Sequence, residues 1–231
     1  MIETLLFDLD NTLLDFNQAE RIAVSKTLEN FQITPAPSIL KRYSELNLAQ
    51  WKLLEQGKIS REQVKLRRFQ LLFSEQNIDA PAEEAAKIYE FLLAHGHYFM
   101  DGAEELLEYL YKKDYCLCAA SNGPYEQQIN RLKSAGMLKY FDHCFVSEKI
   151  GADKPGKQFF DGCMRNLPGI QPEDCMMIGD SLTADIAGGT LYGMSTCWYV
   201  PSVEKYNEEK SKSGKPAEYI IHELRELKNI L

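Results

Sequence analysis

Carboxylates that close apolar, β-favouring runs are the residues of this chain best placed to do chemistry. Asp8 and Asp10 end the run Ile2-Glu3-Thr4-Leu5-Leu6-Phe7 and are followed by Asn11-Thr12. Two apart on extended backbone, they project to the same side of the pleat, and two neighbouring carboxylates resist joint ionisation. A divalent cation that held Asp8 as the anion would leave Asp10 to carry a proton, making one a nucleophile and the other an acid and base. Asp and Asn after a strand also cap turns, and the pair alone leaves both readings standing.

Three further positions have the same character. Ser121-Asn122-Gly123 follows another apolar run and offers a hydroxyl and backbone N–H groups at a strand-to-helix turn, a setting that suits phosphate oxygens as well as an ordinary cap. Lys154, ahead of Pro155, supplies a cation that could neutralise phosphate charge. Gly179-Asp180-Ser181, with Asp185 five residues beyond Asp180, places hard oxygen donors around a helix start, where they could cap the helix or hold Mg²⁺. Each is weak in isolation. The informative feature is the ordered set of four, three just after predicted strands and Lys154 ahead of a predicted helix, and the carboxyl ends of strands in an open parallel sheet share one edge.

The elements that must position them follow from apolar spacing. Short apolar runs at residues 2–9, 115–120, 144–147, 175–179, 196–200 and 219–221 read as buried strands. Helix-spaced segments fall between them at residues 104–113, 126–135, 156–166 and 182–192, and this alternation predicts a parallel sheet with helices on both faces. Residues 17–96 contain no good strand. Four helices are predicted there from Val24, Leu28 and Phe31; Ile39, Tyr43 and Leu46; Leu66, Phe69 and Phe73; and Ile88, Phe91, Leu92 and His95. Pro35 and Pro37, Gly57 with Ser60, and Asp79 with Pro81 separate them. The helical stretch is thus an insertion between the first strand and the rest of the sheet. The polar stretch from Glu204 to Lys215 is expected to be a solvated loop.

Composition narrows the function classes. The 231 residues are 45% hydrophobic and 26% charged, with no apolar run approaching the roughly 18 residues of a membrane span, so a soluble protein is expected. The amino terminus enters a strand at once, and cytoplasmic location is the default expectation. With 26 basic and 34 acidic residues the net charge is −8, which disfavours stable nucleic-acid binding. Six cysteines without a CxxC pair are expected to be reduced core residues.

Taken in order, these residues resemble the phosphatases of the haloacid dehalogenase superfamily. The resemblance rests on Phe7-Asp8-Leu9-Asp10-Asn11-Thr12-Leu13, on Ser121-Asn122-Gly123, on Glu148-Lys149-Ile150-Gly151 with Lys154-Pro155, and on Ile178-Gly179-Asp180-Ser181 with Asp185 and Gly188-Gly189. It covers residues 1–15 and about 97–231. It implies a Rossmann-like catalytic core over 1–16 and 97–231 and a helical cap over 17–96. It further implies that Asp8 attacks phosphorus to form an aspartyl-phosphate while Asp10 protonates the leaving alcohol and then activates water. Ser121, the Asn122 amide and Lys154 would hold the phosphoryl oxygens. Mg²⁺ would be bound by Asp8, the backbone carbonyl of Asp10 and Asp180, with Asp185 acting through a water.

Within the superfamily, Ser-Asn-Gly, Glu-Lys-Ile-Gly and Cys197-Trp198-Tyr199 are most similar to bacterial pyrimidine 5'-nucleotidases. That similarity makes a nucleoside 5'-monophosphate the first-choice substrate. Another small phosphorylated metabolite, a sugar phosphomutase activity and a ligand-gated scaffold are the alternatives; Asp10 argues against a hydrolytic dehalogenase. His95-Gly96-His97 is expected to be a hinge segment and no metal site. Lys65, Arg67 and Arg68 are expected on a solvated helix face, and Trp51 is expected to pack within the helices.

Overall fold

A computed structural model describes residues 2–210 and 217–231. It divides the chain into two compact units, one formed by residues up to Asp15 together with His97–Leu231, the other by Phe16–Gly96.

The first unit is built on six parallel strands: β1 Thr4–Phe7, β2 Cys116–Ser121, β3 His143–Val146, β4 Cys175–Gly179, β5 Ser195–Tyr199 and β6 Tyr219–Ile221. Their order across the sheet is β3-β2-β1-β4-β5-β6, so β1 lies inside, paired with β2 and β4. Such a sheet is covered on both faces, which is why its central strands read as uninterrupted apolar runs. Alternate side chains face opposite sides. Leu5, Phe7, Leu117, Ala119, Met176 and Ile178 form one core with Leu106, Leu107 and Leu110, while Leu6, Cys118, Ala120, Cys175 and Met177 form the other with Phe159, Phe160 and Cys163. All six cysteines are free thiols; four are buried and Cys116 and Cys144 are half-buried.

The second unit holds four helices, α1 Phe16–Asn30, α2 Pro37–Glu55, α3 Arg61–Gln76 and α4 Ala82–His95. Local signals set their ends. Pro37 sits in the first turn of α2, where its missing N–H costs nothing. Ser60 and Gln63 form a reciprocal capping box at the start of α3, and Asn77 closes it in the left-handed region. Tyr43, Phe69 and Tyr89 pack ring to ring in the centre of this unit, with centroids 5.0–5.7 Å apart.

Two expectations about these helices are corrected. The inner face of α4 is Ala85, Ala86, Tyr89 and Leu93; the rings of Phe91 and His95 meet at a tilt, and Phe91 is 65% exposed. Alanines carry little hydrophobic weight, so the larger residues drew the apolar face to the wrong side. Arg68 is not on a solvated face but fully buried, while Arg67 is exposed and Lys65 half-buried. Burial of Arg68 is compensated: its guanidinium ion-pairs with Glu90, donates to Asn47 Oδ1 at 2.9 Å and lies 4.4 Å over the ring of Tyr89. Trp51 is half-buried on α2.

The remaining helices of the first unit are α5 Ala103–Lys112, α6 Tyr125–Ser134, α7 Ser147–Ile150, α8 Lys157–Met164, α9 Ala187–Tyr192 and α10 Val203–Lys210. The helix expected at residues 182–192 opens as a π-helical turn, Leu182–Ile186, before continuing as α9. The expected loop at 204–215 is corrected in its first half, where α10 forms: Ser202 Oγ bonds Glu204 at 2.9 Å, and Tyr206 packs on Trp198 and His222. Residues 211–216 lie outside the described residues. His95 ends α4, and His97 begins the return to the first unit, its Nδ1 2.6 Å from Ser134 Oγ.

Candidate active site

At the carboxyl edge of the sheet β1 stops at Phe7, while its neighbours run on, β2 to Ser121 and β4 to Gly179. Phe7 pairs in register with Ala119 and Ile178, and the Asp8 N–H still bonds Ile178 O at 2.8 Å, so Asp8 leaves β1 between β2 and β4. The chain then turns sharply. Asn11 adopts a left-handed φ of 61°, a conformation that Asn tolerates better than most residues, and its N–H bonds Leu14 O at 2.7 Å. This turn folds Thr12 back so that its hydroxyl donates to Asp8 Oδ2 at 3.3 Å. The third residue of the Asp-x-Asp-x-Thr spacing thus serves the first.

Lys154 reaches the same point from the loop before α8. Its ammonium is 2% exposed and donates to Asp8 Oδ1 at 2.8 Å, Asp185 Oδ1 at 2.7 Å and Ala120 O at 2.5 Å. An ammonium has three hydrogens, and these three acceptors use all of them. Asn122 holds the lysine's own backbone from both sides: Lys154 N–H donates to Asn122 Oδ1 at 2.8 Å and Asn122 Nδ2 donates to Lys154 O at 3.0 Å. The two sequence features, Asn122 and Lys154, are therefore one structural unit.

Burial pushes the Asp8 carboxyl up to about 7, against the pull of the Lys154 ammonium and with the help of the Asp185 and Asp10 charges. Asp185 is also raised, mainly by burial, again opposed by Lys154. Burial alone would lower the Lys154 ammonium, yet the two carboxylates beside it leave it raised. The cation is thus the group that keeps negative charge tolerable at this edge of the sheet.

Asp185 is 1% exposed, and both its oxygens are engaged, Oδ1 by Lys154 and Oδ2 by the Ser181 N–H at 3.0 Å. It lies so close to Gly179 that a Cβ there would meet Oδ2 at 2.2 Å, which explains the glycine. Asp180 is half-buried, and its backbone carbonyl accepts from Trp198 Nε1 at 3.1 Å. One carboxylate oxygen from each of Asp8, Asp180 and Asp185 falls within 4.8 Å of the others. Hard oxygen donors at this spacing suit a divalent cation such as Mg²⁺.

Asp10 is placed in company that the sequence did not disclose. Arg131 of α6, fully buried, forms an ion pair with Asp10 Oδ1, and Gln128 Nε2 donates to Asp10 Oδ2 at 2.7 Å. Gln128 Nε2 also lies 2.7 Å from Ser121 Oγ. The available signal was the i, i+3 spacing of Gln128 and Arg131, which puts them on one face of the helix that follows Ser121-Asn122-Gly123. All seven residues singled out from the sequence, Asp8, Asp10, Ser121, Asn122, Lys154, Asp180 and Asp185, lie at this edge of the sheet.

Residues 2–193 match the family model of the haloacid dehalogenase-like hydrolases. The chain is 40% identical over 197 residues to the pyrimidine 5'-nucleotidase PynA of Streptococcus pneumoniae, across 85% of this chain and 83% of that one. It is 36% identical over 228 residues to the HAD-hydrolase YfnB of Bacillus subtilis, across 99% of this chain and 94% of that one. A crystal structure of YfnB bound to magnesium matches with a TM-score of 0.90 at 35% identity, covering 100% of this chain and 98% of that one.

Proposed function

The chain belongs to the haloacid dehalogenase-like hydrolases, and from that premise we propose that it hydrolyses phosphate monoesters by way of a phosphoryl group carried on Asp8. The observation that carries this reading is the Asp8 carboxylate at the end of β1, held at 2.8 Å by a buried ammonium and flanked by Asp10. Asp8 is the attacking group, and Thr12 and Lys154 fix its two oxygens. Asp10 delivers a proton to the leaving alcohol and later takes one from the water that cleaves the acyl-phosphate. Ser121, the Asn122 amide and the positive charge of Lys154 hold the phosphoryl oxygens.

Magnitudes divide the work. Accelerations of phosphate-monoester hydrolysis approach roughly 10²¹-fold, whereas a general acid contributes about 10² to 10⁴. Most of the barrier must therefore be removed by charge neutralisation and positioning. The carboxylates of Asp8 and Asp180 with the backbone carbonyl of Asp10 would hold Mg²⁺, which when bound supplies neutralising charge to the phosphoryl group. Asp185 is assigned an indirect part: buried at 1% exposure, it holds Lys154 and the Ser181 N–H in place.

The substrate we assign is a nucleoside 5'-monophosphate, with a pyrimidine base preferred; the name carried by the 40% identical relative supports this. Substrate choice is assigned to residues 16–96, acting as a cap. A panel of nucleotides, sugar phosphates and small phosphoesters, assayed with EDTA and with Mg²⁺, tests the reading. Pyrimidine 5'-monophosphates should be turned over fastest, EDTA should abolish turnover and Mg²⁺ should restore it. Full activity in EDTA would remove the metal from the reading, and a sugar phosphate as the best substrate would remove the nucleotide.

A further inference from the structure

We infer that Gln128 and Arg131 are positioning residues that fix the hydroxyl of Ser121 as a hydrogen-bond donor to the substrate's phosphoryl group; this rests on the phosphatase reading above. Ser121 and Gln128 are each 1% exposed and Arg131 is 0% exposed, so water does not rearrange these partners.

A guanidinium carries donors only. The atom of Gln128 that Arg131 Nη1 meets at 3.0 Å is therefore the carbonyl oxygen Oε1, and the orientation of the carboxamide is set by Arg131. Its other end, Nε2, must then donate, and it does so to Ser121 Oγ and Asp10 Oδ2, both at 2.7 Å. Ser121 Oγ receives a second donor, the Gly123 N–H at 3.1 Å. A hydroxyl oxygen has two lone pairs, and two donors occupy both. What Ser121 has left to offer is its own hydrogen.

Phosphoryl oxygens accept and do not donate. A hydroxyl already committed to donating needs no reorientation when such a ligand arrives, and preorganised donors in a site of low dielectric are worth more than mobile ones. The ion pair between Arg131 and Asp10 ties the same relay to the second aspartate, so the guanidinium sets one end of the phosphate clamp and one oxygen of the acid/base residue together. Without Gln128 the Ser121 oxygen regains a free lone pair and its hydrogen is no longer constrained.

A double-mutant cycle tests this, with kcat/KM for p-nitrophenyl phosphate as the readout. That ester's leaving group needs no proton, and kcat/KM covers only the steps through its departure, so the measurement isolates the Ser121 arm from the acid/base work of Asp10. Gln128→Leu and Ser121→Ala should each lower kcat/KM by about 10- to 100-fold. The double variant should fall within about threefold of the worse single one, because Gln128 acts through Ser121.

If Gln128→Leu does not fold by circular dichroism, Gln128→Met takes its place in the cycle. That substitution keeps the length of the side chain and removes the donor to Ser121 without setting a second carboxylate against Asp10, and the same coupling is expected. A merely structural role would produce a loss that persists undiminished in the Ser121→Ala background. Losses that multiply would thus overturn the inference while leaving an active phosphatase. A wild-type chain inactive on every phosphoester would overturn the phosphatase reading and this inference with it.

Discussion

Asp180 and Asp185 carry the same side chain in different surroundings, and the proposed reading gives them different tasks. Asp185 is sealed between Lys154 and the Ser181 N–H, so removing it strands an ammonium on which Asp8 alone remains as counter-charge. Breaking a buried pair in this way costs about 3–5 kcal/mol, and Asp185→Ala should lose that order of stability in chemical denaturation. Asp180 contributes to the fold through its backbone carbonyl, held by Trp198, which Asp180→Ala retains. That variant should unfold within about 1 kcal/mol of the wild type but lose most of its Mg²⁺ affinity by calorimetry. A larger loss of Mg²⁺ affinity in Asp185→Ala would reverse the ranking. Both carboxylates were legible in the sequence because they surround the start of a predicted helix just after a predicted strand. Gln128 and Arg131 were not, because long polar side chains on a helix are ordinarily solvated and only the fold reveals that these are buried against Asp10 and Ser121.

At the level of elements, the helical unit carries a buried polar network that affects how its stability depends on pH. Glu20 of α1 is 5% exposed and accepts from Asn47 Nδ2 at 2.6 Å, while Asn47 Oδ1 in turn accepts from Arg68. Burial raises the Glu20 carboxyl, opposed by hydrogen bonds from Ser44 and Asn47 and by the charge of Arg68. The sign follows from linkage. A carboxyl raised on folding contributes stability that is fully present below its unfolded value, near 4.5, and is lost as pH rises through the folded value. Glu20→Gln keeps an oxygen for Asn47 and removes the ionisation. It should therefore slow hydrogen exchange in α1 and α2 at pH 8 and change it much less at pH 5; equal effects at both would contradict the sign. The strands were easy to read because a parallel sheet buried on both faces leaves long apolar runs between turn residues. Faces of helices were harder: alanines hid the inner side of α4, and Arg68 looked solvated until Glu90, Asn47 and Tyr89 surrounded it. Helix α10 escaped notice because one aromatic, Tyr206, anchors a segment otherwise dominated by charge.

On the scale of the whole chain, the junctions of the inserted helices are paired with each other inside the first unit. Asp15 N–H bonds Tyr98 O at 2.7 Å and Met100 N–H bonds Leu13 O at 3.0 Å, so the chain leaves and re-enters side by side. Excision of residues 16–96 with a short linker should thus leave the sheet and its two cores folded. The shortened chain should hydrolyse nucleotides and p-nitrophenyl phosphate with little discrimination; a retained nucleotide preference would move recognition into the sheet unit. The proposed mechanism depends on the phosphoryl group passing through Asp8. Asp10→Asn keeps the attacking carboxylate but lacks the base that clears the acyl-phosphate, so with p-nitrophenyl phosphate, whose leaving group needs no proton, the intermediate should accumulate. Rapid-quench mass spectrometry of that variant should find one phosphoryl group on the peptide containing Asp8 and none when Asp8→Asn is added. A phosphoryl group on any other residue, or its persistence in the double variant, would contradict the account.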